Sequence, residues 1–168
     1  MRARLALYAL LAACAAGLSA CGFSPLYAQT GLTSNLSSIQ VIAPEGRTGY
    51  LIRGHLEDAL ARNPSARPLY KMELQLGEAR YPRGVRVDSV ATRYEYVLTA
   101  AYTLTSTATG AMAKSGSVRV ELTYDSADQP YASIAAQQDA QDRGAQEAAR
   151  RIELELAAWF ANGAKSKS

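Results

Sequence analysis

The stretch Val90-Ala91-Thr92-Arg93-Tyr94-Glu95-Tyr96-Val97-Leu98-Thr99-Ala100-Ala101-Tyr102-Thr103-Leu104-Thr105-Ser106-Thr107 decides the fold. Tyr94, Tyr96, Leu98, Ala100, Tyr102 and Leu104 fall on one side of an alternation. Arg93, Glu95, Thr99, Thr103 and Thr105 fall on the other, the period-two pattern of a half-buried strand. A strand this long is expected to bend or bulge. Ala108-Thr109-Gly110 supplies a tight turn. Met112 to Tyr124 then returns with Val118, Val120, Leu122 and Tyr124 facing in, so the two segments form a long hairpin.

Toward the N-terminus, Leu69 to Leu76 alternates in the same way. Tyr70, Met72, Leu74 and Leu76 oppose Lys71, Glu73 and Gln75, which predicts a further strand. Between the two, Tyr81-Pro82-Arg83-Gly84 reads as a turn with Arg80, Arg83 and Arg86 around it. Further upstream, Arg47 to Arg62 sets Leu51, Ile52, Leu56, Ala59 and Leu60 against Arg53, Glu57, Asp58 and Arg62, and Asn63-Pro64 closes an amphipathic helix. Leu36 to Ala43, with Ile39, Val41 and Ile42 ahead of Pro44, predicts a short first strand. Gln29 to Ser38 is polar and irregular and reads as a tether.

Downstream, Asp128-Gln129-Pro130 opens a long helix, because an acid suits the helix start and proline is tolerated in the first turn. Its apolar stripe is Ile134, Ala145, Ala148, Ala149, Ile152, Leu156, Trp159 and Phe160, lean at first and heavy later, with Gly163 as the expected stop. Gly144 inside this helix costs about 1 kcal/mol relative to alanine, a cost that a close approach to the sheet would offset. The expected architecture is α+β in the order β-α-β-β-β-α. It is a two-layer sandwich: a four-stranded, mostly antiparallel sheet with two helices on one face, its first strand joined by a right-handed crossover. The other sheet face stays polar.

The N-terminus is not part of that fold. Arg2 and Arg4 precede an apolar run from Leu5 to Leu18, too short to span a membrane, and Leu18-Ser19-Ala20-Cys21 follows. Small residues leading directly into a cysteine are the pattern of a bacterial lipoprotein signal. Residues 1–20 are therefore expected to be removed, and Cys21 to carry the acyl chains, palmitate among them. With about 0.8 kcal/mol for each buried CH₂, several chains hold a domain on a bilayer. Gly22, rather than an aspartate, follows the cysteine, which points to the outer membrane. Residues 21–35 are expected to be the lipidated tether, 36–162 one domain and 163–168 a polar tail.

Two of the 18 basic residues leave with the signal, so 16 face 15 acidic side chains. A net charge near +1 gives no ground for nucleic-acid binding. Cys14 lies in the removed segment and the sulfur of Cys21 would be alkylated, so no disulfide is expected in the mature chain. Burial must hold the domain together.

The sequence offers no enzyme. His55 is the single histidine, on a helix flank without a patterned partner, and is given no role. No zinc-ligand spacing or phosphate loop occurs, and no cofactor or metal is expected. Asp125 and Asp128 would serve a general acid and base, but they precede a helix, where capping is the default. Arg80, Arg83 and Arg86, with Arg93 nearby, suit bidentate contacts to phosphates or carboxylates, against the alternative of a solvated turn. Lys114, near the hairpin tip, is a weaker candidate.

Cys21-Gly22-Phe23-Ser24-Pro25-Leu26-Tyr27 resembles the start of the mature LPS-assembly lipoproteins of the LptE family. Further likeness lies in Arg47 with Leu51 and Arg53, Ala91-Thr92-Arg93, Thr109-Gly110, Tyr124-Asp125, Tyr131-Ala132, Asp139-Ala140 and Arg143. The resemblance implies a non-enzymatic lipoprotein on the periplasmic side of the outer membrane. Such a protein plugs the LptD β-barrel, assists its assembly and helps deliver lipopolysaccharide to the outer leaflet. Arg80, Arg83, Arg86 and Lys114 are expected lipopolysaccharide contacts on their charge alone, since no family position matches them. The alternative is a periplasm-facing accessory lipoprotein that serves another transport complex or binds a small ligand.

Overall fold

The computed structural model describes residues 32–85, 91–126 and 129–165. In chain order these form α1 (Leu32–Ser37), β1 (Ile39–Ile42), α2 (Arg47–Ala59), β2 (Tyr70–Val85), β3 (Ala91–Ser106), β4 (Met112–Asp125) and α3 (Pro130–Lys165). The α+β architecture is the expected one, with a mixed four-stranded sheet in the order β1-β2-β3-β4. β1 runs parallel to β2 across the α2 crossover, and the other two pairings are antiparallel.

Local chemistry sets the element ends. β1 stops at Ile42 because Pro44 has no N–H to continue the ladder. Asn63 donates its backbone N–H back to Ser37, which ties the α2 exit to α1. Gly110 takes φ +70°, the left-handed conformation the β3–β4 turn needs, and donates to the Ser106 carbonyl at 2.8 Å. The irregularity expected of a long strand sits at its end, as a register shift between Leu104 and Thr105.

Four expectations are corrected. Leu36 belongs to a helix rather than to a tether or strand. Its neighbours are polar, but Leu36 itself is 3% exposed, and one buried anchor suffices to dock a short helix. Tyr81-Pro82-Arg83-Gly84 is not a turn: β2 continues to Val85, pairing Tyr81 with Glu95, Pro82 with Tyr94 and Arg83 with Arg93. β1 pairs only with Tyr70 to Glu73, so Pro82 lies on a sheet edge, where a missing N–H is tolerated. α3 passes Gly163 and ends at Lys165. Ile134 belongs to the expected apolar stripe yet is 54% exposed, because the first turns of α3 overhang the core.

One sheet face packs under the helices. Met72, Leu98, Ala100, Tyr102, Leu104, Val118 and Val120 meet Ile52, Leu56, Ala145, Ala148, Ala149, Ile152, Leu156 and Phe160 in one cluster. Small side chains on α3 bring the helix close to the strands. Gly144 extends this: a Cβ there would stand 3.0 Å from Cε1 of Tyr96, so the expected close approach is real and its target is that ring.

Candidate functional site

The opposite sheet face carries no packed element among the described residues. Period-two alternation sends Lys71, Glu73, Arg83, Arg93, Glu95, Arg119, Glu121 and Asp125 to it. These eight charges pair with one another. Lys71 meets Glu73 at 2.7 Å, Arg93 meets Asp125 at 2.8 Å, Arg119 meets Glu121 at 2.7 Å, and Arg83 is bound to Glu95. Between them lies a tract of small residues: Gly77, Thr99, Ala101, Thr103, Ser115 and Ser117. Val97, in the middle of the face, is 3% exposed, and the exposed Ile42, Tyr81 and Met112 sit at its margins. The result is a long, smooth, hydrophilic surface without net charge.

The four basic residues singled out from sequence do not form one cluster. Arg80 lies on the helix-bearing face, beyond the core. Its Nη1 donates to Gln137 Oε1 of α3 at 2.8 Å, and its guanidinium lies 4.8 Å from the Tyr94 ring centroid. Tyr94 in turn stacks on Tyr124 at 5.7 Å, which makes an Arg-Tyr-Tyr tier across β2, β3 and β4. Arg83 projects from the other face, held by Glu95 and beside the Tyr81 ring. Arg86 lies outside the described residues, as do Cys21 and Asp128. Lys114 pairs across to Leu104 at the far end of the sheet, 5.9 Å from the Tyr102 ring. It is about 26 Å along β3 from the Arg80 level, at 3.3 Å per residue.

Two exposed residues precede Gln137, the α3 partner of Arg80. Ile134, one turn before Gln137 on α3, is 54% exposed, and Tyr131, nearly one turn further back, is 88% exposed. The lean first half of the apolar stripe hinted at this for Ile134, whereas Tyr131 lay outside the stripe and carried no such signal.

Of the remaining candidates, Asp125 is occupied by Arg93. His55 does have a partner: its Nε2 lies 2.9 Å from Asp142 Oδ1, a link between α2 and α3 that a sequence separation of 87 hides from sequence. No group of three His, Cys, Asp or Glu is placed to hold a metal among the described residues, and no described helix is long and apolar enough to cross a membrane. Two tyrosines make polar ties, one between neighbouring strands and one between sheet and helix. Tyr96 donates to Glu78 Oε2 and Tyr102 to Glu155 Oε2, each at 2.7 Å. Burial, then the bond to the glutamate, pushes both hydroxyls well above the ordinary tyrosine range.

These features define a two-layer α+β domain with one helix-covered sheet face and one bare, self-neutralised face. The sequence profile of the LptE family, described as Lipopolysaccharide-assembly, matches residues 36–156, and the chain belongs to that family of envelope lipoproteins. A candidate lipoprotein of Caulobacter crescentus CB15, solved by crystallography, is 50% identical with a TM-score of 0.70, over 80% of this chain and 98% of that one. The rare lipoprotein B of Shewanella oneidensis shares the fold at 13% identity and a TM-score of 0.57, over 74% of this chain and 95% of that one. A lipoprotein B of Nitrosomonas europaea does so at 17% and 0.56, over 76% and 86%. No curated protein matches the chain.

Proposed function

We propose that this protein is a non-enzymatic outer-membrane lipoprotein, held on the periplasmic side by acyl chains on Cys21, that plugs the LptD β-barrel. In that role it assists assembly of the barrel and helps deliver lipopolysaccharide to the outer leaflet. Membership of a lipopolysaccharide-assembly family supports the general role. The bare sheet face carries the finer reading. A barrel lumen is hydrophilic, so a protein that fills one needs a broad polar surface. Unpaired charge on that surface would be costly to desolvate, and here every charge already has a partner on the same face.

Lipopolysaccharide presents phosphates beside acyl chains. Of the four basic residues, Arg80 has the surroundings that fit such a ligand: a guanidinium stacked on Tyr94, with Tyr131 and Ile134 uncovered ahead of its partner Gln137 on α3. Arg86 is the second candidate. Arg83 is offset by Glu95 and Lys114 lies at the other end, so their contributions are smaller.

The test is purification of the affinity-tagged full chain from detergent-solubilised outer membrane. A large β-barrel at near-equal amount is the expected result. Recovery without one, from a membrane that holds the protein, defeats the plug reading and leaves a periplasm-facing accessory lipoprotein.

A further inference from the structure

The two edges of the sheet are treated differently. On β4, the Arg151 side chain reaches from α3 and donates to the Arg119 carbonyl at 2.9 Å, so a side chain of the protein itself crosses that edge at one carbonyl. On β2 the cover ends early: β1 pairs with Tyr70 to Glu73 of a sixteen-residue strand.

Which backbone groups this leaves open follows from the ladder. Tyr70 donates its N–H outward, to Ser38, whereas Leu69 accepts from Thr107 on the β3 side. The β2–β3 register continues without a break to Val85, so the even residues keep their N–H and C=O turned away from β3. Pro82 belongs to that even series, which is why β3 loses no bond to it. In the parallel register, the Leu74 carbonyl would receive the N–H of residue 44, and residue 44 is proline. From Leu76 through Glu78 to Arg80 the outward groups have no backbone partner among the described residues. Pro82 and Gly84 blunt the strand only beyond this stretch, and its two charged side chains, Glu78 and Arg80, are held on the helix-bearing face by Tyr96, Gln141 and Gln137.

We infer that this edge receives an extended segment of another protein by β-strand addition, in line with β1. Under the proposed function that protein is the barrel partner, and the inference rests on that reading. The chain's own segments do not suit the place. Residues 22–31 extend at most about 35 Å. They join α1 at the base of β1, are held by lipid at Cys21, and would first have to run past β1 over about 20 Å to reach Leu76. Residues 86–90 are committed to joining β2 and β3. A second copy fits no better. An antiparallel β2–β2 pair sets Glu78 on Glu78 or Arg80 on Arg80, brings Pro82 into the ladder, or drives each copy into the other's β1. The segment that fits is an extended stretch of a different chain. Its outer-face side chains must be small or polar, to lie beside Gly77 and Ala79, and its backbone must supply alternate donors and acceptors to Leu76, Glu78 and Arg80.

The experiment compares hydrogen exchange at single amides in the full-length lipidated protein, purified alone and as the barrel complex. The expected result is that the amides of Leu76, Glu78 and Arg80 exchange rapidly alone and at least about a hundredfold more slowly in the complex. Leu76→Pro, which removes an outward N–H as Pro82 does, is expected to abolish that protection at Glu78 and Arg80 while the inward amides of Gln75 and Gly77 stay protected. Should the variant fail to fold, the wild-type comparison decides. A complex that forms while these amides exchange as in the isolated protein overturns the inference and leaves the plug reading standing. Absence of any barrel overturns both.

Discussion

The ring of Tyr102 rests directly on the backbone of Gly116: a Cβ at position 116 would stand 2.7 Å from its Cε1 and Cζ and 2.6 Å from its hydroxyl. The ring is 2% exposed and its hydroxyl is fixed by Glu155, so it has no room to withdraw. Gly116→Ala is expected to destabilise the domain by about 2 kcal/mol, within the range for overpacking a filled core. Gly144→Ala is the informative contrast. It gains about 1 kcal/mol of helix propensity and loses a similar amount against Tyr96, so it is expected to lie near wild type. Urea unfolding of the two variants checks the pair.

Tyr96 and Tyr102 also predict alkaline behaviour. Their folded-state pKa values are raised, first by burial and then by the glutamate each one meets. An unfolded tyrosine titrates near 10. The stabilisation linked to these hydroxyls is therefore complete below about pH 10 and lost as pH rises from there toward the folded values. Thermal unfolding followed from pH 8 to pH 12 is expected to show a steep alkaline decline. The Tyr96→Phe, Tyr102→Phe double variant is expected to decline less steeply and to be less stable at pH 8, since each change removes a short hydrogen bond to a glutamate.

The split between Arg80 and Arg83 predicts unequal effects. Arg80→Ala is expected to weaken lipopolysaccharide binding about tenfold, the size of one lost charge-assisted contact. Arg83→Ala, which frees Glu95 on the other face, is expected to change it less than about twofold. Neither is expected to move stability by more than about 1 kcal/mol, because both side chains are exposed. Binding measured on purified full-length variants settles the order, and equal losses would return the two arginines to a single site.

How far the sequence carried depended on the range of the interaction. Period-two alternation from Tyr70 to Leu76 and from Tyr94 to Leu104 was legible because each face is set residue by residue. The pairing of His55 with Asp142 was not, because it depends on how two helices cross. Pro82-Arg83-Gly84 misled because proline and glycine mark turns only where a ladder bond is needed, and the open edge of β2 needs none there. The basic residues were legible as charges but not as a site. Neighbours of opposite parity on a strand face opposite ways, so the turn reading merged Arg80 and Arg83 into a cluster that the strand divides. α1 escaped notice because its stability comes from one buried leucine rather than from any helical period.

The central claim is that the bare sheet face lies inside a barrel. A cysteine introduced at Thr99, in the middle of that face, reads this directly: Cys21 would be acylated, leaving Thr99→Cys as the single reactive thiol. In isolated outer membranes, a soluble maleimide is expected to leave this thiol unmodified while fully labelling a control Ser65→Cys in the loop before β2, and detergent denaturation is expected to expose both. Labelling at position 99 as fast as at position 65, in membranes that contain the barrel, would contradict the account.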